Sequence, residues 1–174
     1  AYQGRVMTSS FAGDAGPSLG WINRKVIEGG ILSPEQAKGR LEAHIHIFGG
    51  EERYWLGPEG GQFAIYFQPG SKFDFEVWKT PAPIDTDAWS VNESTATSAS
   101  FEHTFELQNW SGTRFICKAD RKVSLVPRAE VATQLGVDLP DTFKLVAYET
   151  DNRLTNRGTN TWTKTGGMLS IWML

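Results

Sequence analysis

A chain of 174 residues is long enough for one well-buried domain and short for two. Its 17 Lys and Arg are scattered singly among 20 Asp and Glu for a formal charge of -3, which excludes a basic nucleic-acid surface. No apolar run approaches the length that crosses a bilayer, and the opening residues read as no export signal.

Taken in chain order, short alternating segments bounded by Gly, Pro, Asn or Asp predict strands over 5–9, 19–27 and 43–48. Between the last two, Ser33-Pro34-Glu35-Gln36 is a capping box with proline at the first helical position, so a short connecting helix is expected there. Residues 62–68 and 73–78 alternate around Pro69-Gly70-Ser71-Lys72 and predict a hairpin. Two longer alternating runs follow at 97–109 and 113–126, joined by Asn109-Trp110-Ser111-Gly112, which is turn chemistry. Cys117, the only cysteine, lies in the second run beside Phe115 and Ile116 and reads as a buried structural thiol; alone, it excludes an internal disulfide and a thiolate zinc site. Residues 127–135 predict a second short helix closed by Gly136, and strands are expected again over 142–149 and 162–173, with a turn at 156–159 between them.

Short strands dominate, so the expected fold class is all-β, an antiparallel β-sandwich forming one domain over 1–174 with one or two short helices. The chain finishes on the apolar run 168–174 with no polar terminator. Unblunted apolar strands are usually covered, so the natural chain is expected to continue past Leu174, and self-association through this strand is a second way of covering it.

The stretch richest in chemistry is His44-Ile45-His46-Ile47-Phe48-Gly49-Gly50-Glu51-Glu52-Arg53-Tyr54-Trp55-Leu56-Gly57-Pro58-Glu59-Gly60-Gly61. Its glutamates would repel a phosphate, and no Lys-Ser/Thr pair follows its glycines, so it is no phosphate cradle. Carboxylates beside flat aromatic rings suit neutral sugars: an indole covers the C–H face of the ring while carboxylates accept hydroxyl hydrogens. Trp55 and Trp78 are the expected ligand-facing pair, with Glu52 and Arg53 as polar contacts. The competing reading of the loop is structural, with Arg53 paired to a glutamate and Trp55 in the core. His44 and His46, two apart in an expected strand, would share a face; with Glu51 and Glu59 they are the candidate acid and base groups. A metal would need a third ligand beyond the two histidines, and neither a metal nor a cofactor is expected. His103 reads as solvent-facing and receives no role.

Trp21-Ile22-Asn23-Arg24-Lys25-Val26-Ile27, followed by Phe48-Gly49-Gly50-Glu51-Glu52-Arg53-Tyr54-Trp55, resembles the Asn-Arg and Gly-Gly layout of galactose mutarotases, or aldose epimerases. The segment Phe105-Glu106-Leu107-Gln108-Asn109-Trp110 is similar to their asparagine-containing strand and turn. The Gly-Gly-Glu run resembles still more closely that of an uncharacterised bacterial family in the mutarotase-like superfamily. The resemblance implies a large antiparallel sandwich with a sugar on its concave face, Asn23 and Arg24 as ligand contacts, and a periplasmic or secreted setting. It departs from mutarotases at Phe48, where they carry histidine, and at Asp120-Arg121-Lys122, where their second histidine has no counterpart. Three readings follow in order: a carbohydrate-binding domain, an enzyme acting at an anomeric centre, and a structural or partner-binding sandwich.

Overall fold

The computed structural model describes residues 2–173. In chain order its regular elements are helices α1 (Arg24–Gly29) and α2 (Pro34–Ala37), strands β1 (Tyr54–Gly57), β2 (Ser90–Ser94), β3 (Ser98–Gln108) and β4 (Arg114–Leu125), helix α3 (Arg128–Leu135), and strands β5 (Tyr148–Asn156) and β6 (Ser170–Met173). Strand accounts for 31% and helix for 17%, and all pairing between the strands is antiparallel, so the fold is β-rich as expected.

The two long alternating runs form the hairpin β3–β4, in register from Ser98↔Ser124 to Gln108↔Arg114. Its turn is held by Asn109, whose Oδ1 accepts from Thr113 N at 2.9 Å while its Nδ2 donates to Gly166 O at 2.9 Å. β2 and β5 flank the hairpin to give the order β2-β3-β4-β5. Period-2 alternation divides this sheet into two faces. Phe105, Leu107, Phe115, Cys117, Ala119 and Arg121 point inward and are buried. The opposite face is polar, and there Lys118 Nζ bridges Glu102 at 2.8 Å and Asp120 at 2.7 Å. Cys117 is fully buried, and burial pushes its thiol up to about 12, so the thiolate that reacts is scarce at neutral pH.

The inner face packs against Tyr54, Trp55, Leu56, the run Ala64-Ile65-Tyr66-Phe67, Ile84 and Trp89. This covering layer is not a second full sheet. Its regular part is the two-stranded ribbon β1–β6, with Trp55 opposite Trp172, and the remainder is irregular chain. The apolar C-terminal run thus pairs inside the chain from Ser170 to Met173; the expectation of residues past Leu174 lies outside the described residues.

The hairpin expected over 62–78 is absent. Ala64, Ile65, Tyr66 and Phe67 are buried consecutively rather than alternately, and local bonds such as Ala64 N to Gly61 O (3.0 Å) and Trp78 N to Phe75 O (3.1 Å) replace a ladder. Phe73, Phe75 and Val77 share no buried face: the whole stretch 72–77 is exposed, with a 3-10 turn at Phe75–Val77. The expected strands at 5–9 and 19–27 reduce to the single bridges Val6↔Glu52 and Ile22↔Gly49, and 43–48 forms neither strand nor bridge. Asn23 ends the second by capping α1, its side chain accepting from Val26 N. β2 was not expected, and β5 begins at Tyr148 rather than at 142. Both short helices stand: Ser33 and Gln36 form the reciprocal capping box, and Gly136 closes α3 at φ 64.

Candidate functional site

The Gly-Gly loop exists because three chain segments meet there. Gly50 N donates to Trp21 O at 2.7 Å and Glu51 N to Val6 O at 2.7 Å, while Asn23 N donates to Phe48 O at 2.9 Å. A Cβ on Gly49 would lie 2.4 Å from Trp21 O, and one on Gly50 would lie 2.9 Å from Val6 O. Both glycines also hold positive φ, at 81 and 115. The pair of glycines is therefore explained by backbone crossing.

The three glutamates go to three different places. Glu51 Oε1 accepts from Ser9 N at 2.6 Å and from Ser9 Oγ at 3.0 Å. Glu52 pairs with the buried Arg121 at 2.7 Å. Glu59 accepts from Trp55 Nε1. The expectation that they open with the histidines onto one hollow is corrected, because each is drawn to a separate internal donor. Asn23 is spent on the α1 cap, and Arg24 stands exposed in its first turn.

The aromatic residues do converge, in a series that runs from the buried Trp55 out to the exposed Phe75. Arg53 lies 4.2 Å over the Trp55 ring; Trp55 meets Tyr66 at 5.3 Å, Tyr66 stacks on Trp78 at 5.3 Å, and Trp78 stacks on Phe75 at 6.1 Å. His44 closes the series against Phe75 at 4.4 Å, with Nδ1 2.7 Å from Trp78 O. The Trp55 ring is taken up by Arg53 and Tyr66 rather than offered to a ligand, and Trp78 is half-buried with Tyr66 and Phe75 stacked on it. Burial pushes the Tyr66 phenol well above its ordinary value while its hydroxyl donates to Leu56 O at 2.6 Å. His103 also faces inward, 5.4 Å from Phe105 and 3.4 Å from Asp87, rather than toward solvent.

His46 is the expected residue that reaches an open cleft. Its ring, 5% exposed, places Nδ1 3.1 Å from Asp85 Oδ2, and its backbone N donates to the same carboxylate at 3.1 Å. An ionised carboxylate only accepts, so Nδ1 carries the hydrogen; Nε2 is left as an acceptor, with the Leu32 amide at 3.4 Å, which is long for a hydrogen bond. Arg53 Nη2 donates to Asp85 Oδ1 at 3.0 Å and to Ile84 O at 2.8 Å. Burial lowers the Arg53 pKa and Asp85 opposes the shift. Arg5 lies behind this pair, donating to Gly49 O at 3.3 Å and Gln3 Oε1 at 3.2 Å. Burial first, and Arg53 second, pull its pKa down to about 10. His44 and His46 thus do not act from one strand face.

The cleft beside His46 and Asp85 has a volume of about 210 Å³, with Leu32, Glu42, Lys79, Thr80 and Thr86 also on its wall. Glu42 is held below the usual carboxylate range by its bond to Arg40, at 2.7 Å. Thr80 Oγ1 is buried without a partner among the described residues. Asp85, Glu42, Lys79, Thr80 and Thr86 were not singled out in the sequence. The available signal was Pro81-Ala82-Pro83-Ile84-Asp85-Thr86-Asp87, a proline-stiffened segment carrying two acids, but its partner histidine lies 39 positions away.

Among the described residues no group of three or more His, Cys, Asp or Glu is placed to hold a metal, and no helix is long and apolar enough to cross a membrane. No curated protein and no solved structure matches the chain. A family model matches it over residues 1–174, and the chain belongs to that family, a family of unknown function (DUF6786).

Proposed function

We propose that this chain binds a neutral saccharide of about one ring in the cleft at His46 and Asp85. The observation that carries the reading is the convergence there of a buried imidazole–carboxylate pair with Glu42, Lys79, Thr80 and Thr86. A concave site with a few converging polar groups is where small ligands bind. The volume of about 210 Å³ is below the ~300–1,000 Å³ of pockets for drug-sized ligands, which suits a ligand of about one ring. The wall's two carboxylates are already paired, Asp85 with Arg53 and Glu42 with Arg40, and among the described residues Lys79 is the one lysine or arginine on the wall itself. Ile31, Leu32 and Pro34 supply apolar wall for the C–H face, in the role first expected of Trp55.

Calorimetric titration with neutral and acidic monosaccharides tests this. Dissociation constants near the millimolar range, about -4 kcal/mol, are expected for a neutral ring. His46→Ala and Lys79→Ala should each weaken binding at least about tenfold, roughly 1.4 kcal/mol, with the melting curve recorded as a check on folding. Absence of heat with every neutral sugar would remove the proposal.

One observation favours a second reading, acid–base chemistry at an anomeric carbon. His46 Nδ1 lies 3.1 Å from the Asp85 carboxylate, the contact by which a carboxylate orients an imidazole whose other nitrogen exchanges a proton, and here the Leu32 amide stands 3.4 Å from that Nε2. In that reading Asp85 orients the ring, and the earlier candidates Glu51 and Glu59 play no part. Faster mutarotation of a bound sugar, abolished by His46→Gln, separates it from binding alone.

A further inference from the structure

β5 is the last strand of the four-stranded sheet. Its ladder runs to β4 from Leu125↔Tyr148 to Cys117↔Asn156, and no strand among the described residues pairs with its outer edge. A nine-residue edge of free N–H and C=O groups is a template for another strand.

The side chains of β5 say which strand fits. On the polar face of the sheet it presents Glu149, Asp151, Arg153 and Thr155, all exposed. Asp151 sits beside Lys122 of β4, and Arg153 beside Asp120. We propose that two copies of this chain pair β5 to β5, antiparallel, about a two-fold axis at Asn152. In that register Asp151 faces the partner's Arg153 and Arg153 faces the partner's Asp151. A row across the seam then reads Lys122, Asp151, the partner's Arg153, the partner's Asp120, with charge alternating at every step. Directly opposed opposite charges on one sheet face stabilise the pairing, and like charges oppose it.

Neighbouring registers are poorer on the same rule. A slip of two residues one way sets Asp151 against the partner's Asp151 between two Arg153–Glu149 pairs, and the other way sets Arg153 against the partner's Arg153 with no opposite-charge pair within β5. A slip of one residue puts each strand's polar residues opposite the other's inner-face residues. On the inner face the proposed register sets Thr150 opposite the partner's Leu154 and Tyr148 opposite the partner's Asn156, with no charge on either side. The interface is isologous and closes at two copies.

Analytical ultracentrifugation of the full chain from about 10 µM to about 1 mM tests this. The wild-type mass is expected to rise toward that of a dimer. Asp151→Lys alone sets the introduced lysine against the partner's arginine, and Arg153→Glu alone sets two acids together. Each should weaken self-association at least about tenfold, since two opposed pairs change sign. An equal mixture of the two variants should dimerise again, because each introduced charge then meets its opposite. Recovery in the mixture also shows that both variants are folded. A wild-type monomer throughout the range overturns the proposal, and so does a dimer indifferent to either reversal.

Discussion

Replacing Asp85 with alanine is expected to destabilise the protein by about 3–5 kcal/mol, the cost of leaving a buried charge without its partner. The carboxylate accepts from Arg53 Nη2, from His46 N and from His46 Nδ1, and it is 5% exposed. Without it, the Arg53 guanidinium keeps Ile84 O and the face of Trp55 among the described residues. For a chain of this length that is a drop in Tm on the order of 10 °C. Asp85→Asn keeps the shape and one acceptor, and should cost about 1–3 kcal/mol. Thermal or urea unfolding reads both, and a change under about 0.5 kcal/mol for the alanine variant would mean the carboxylate is not the hub of this cluster.

Arg121→Ala is expected to have an effect of the same size, about 3–5 kcal/mol, for a related reason. Arg121 is 1% exposed on the inner face of β4 and is satisfied by three chain segments: Glu52 at 2.7 Å, Asn152 Oδ1 at 2.7 Å and Gly4 O at 3.1 Å. It therefore ties the N-terminal segment and the Gly-Gly-Glu loop to the sheet. Glu52→Gln should cost less, because the amide oxygen still accepts. The double replacement Arg121→Met with Glu52→Leu should cost less than Arg121→Ala, since no charge is left unpaired. A double variant worse than the sum of its parts would refute the ion-pair account.

Arg121 and Asp85 also show what a linear reading reaches. Elements governed by neighbours in sequence were legible: β3 and β4 from their period-2 alternation, α2 from Ser33 and Gln36, α3 from Gly136, and the β3–β4 turn from Asn109 and Gly112. The N-terminal half was not, because non-local contacts decide it. Residues 43–48 alternate as a strand would, yet His46 turns to Asp85 and His44 to Trp78, each more than thirty positions away. The Gly49-Gly50 pair was legible as part of a chemistry-rich loop, but what requires glycine there is the crossing of Trp21 and Val6. The glutamates beside it were read as a set since they are adjacent in sequence, whereas adjacent residues of an extended chain point apart. Glu51 and Glu52 accordingly reach Ser9 and Arg121 on different sides of the loop.

What remains of the site expectation is one histidine, His46, and one arginine, Arg53, joined by an aspartate that no local pattern flagged. The chain has 3 histidines, which makes them separable by isotope. Nitrogen-15 labelling of histidine alone, followed by NMR during titration with a neutral monosaccharide, is the most direct measurement. The Nε2 resonance of His46 is expected to move with saturating ligand while those of His103 stay in place. Sugar-dependent changes confined to other residues, or none at all with His46 fixed throughout, would contradict a saccharide at the His46–Asp85 cleft.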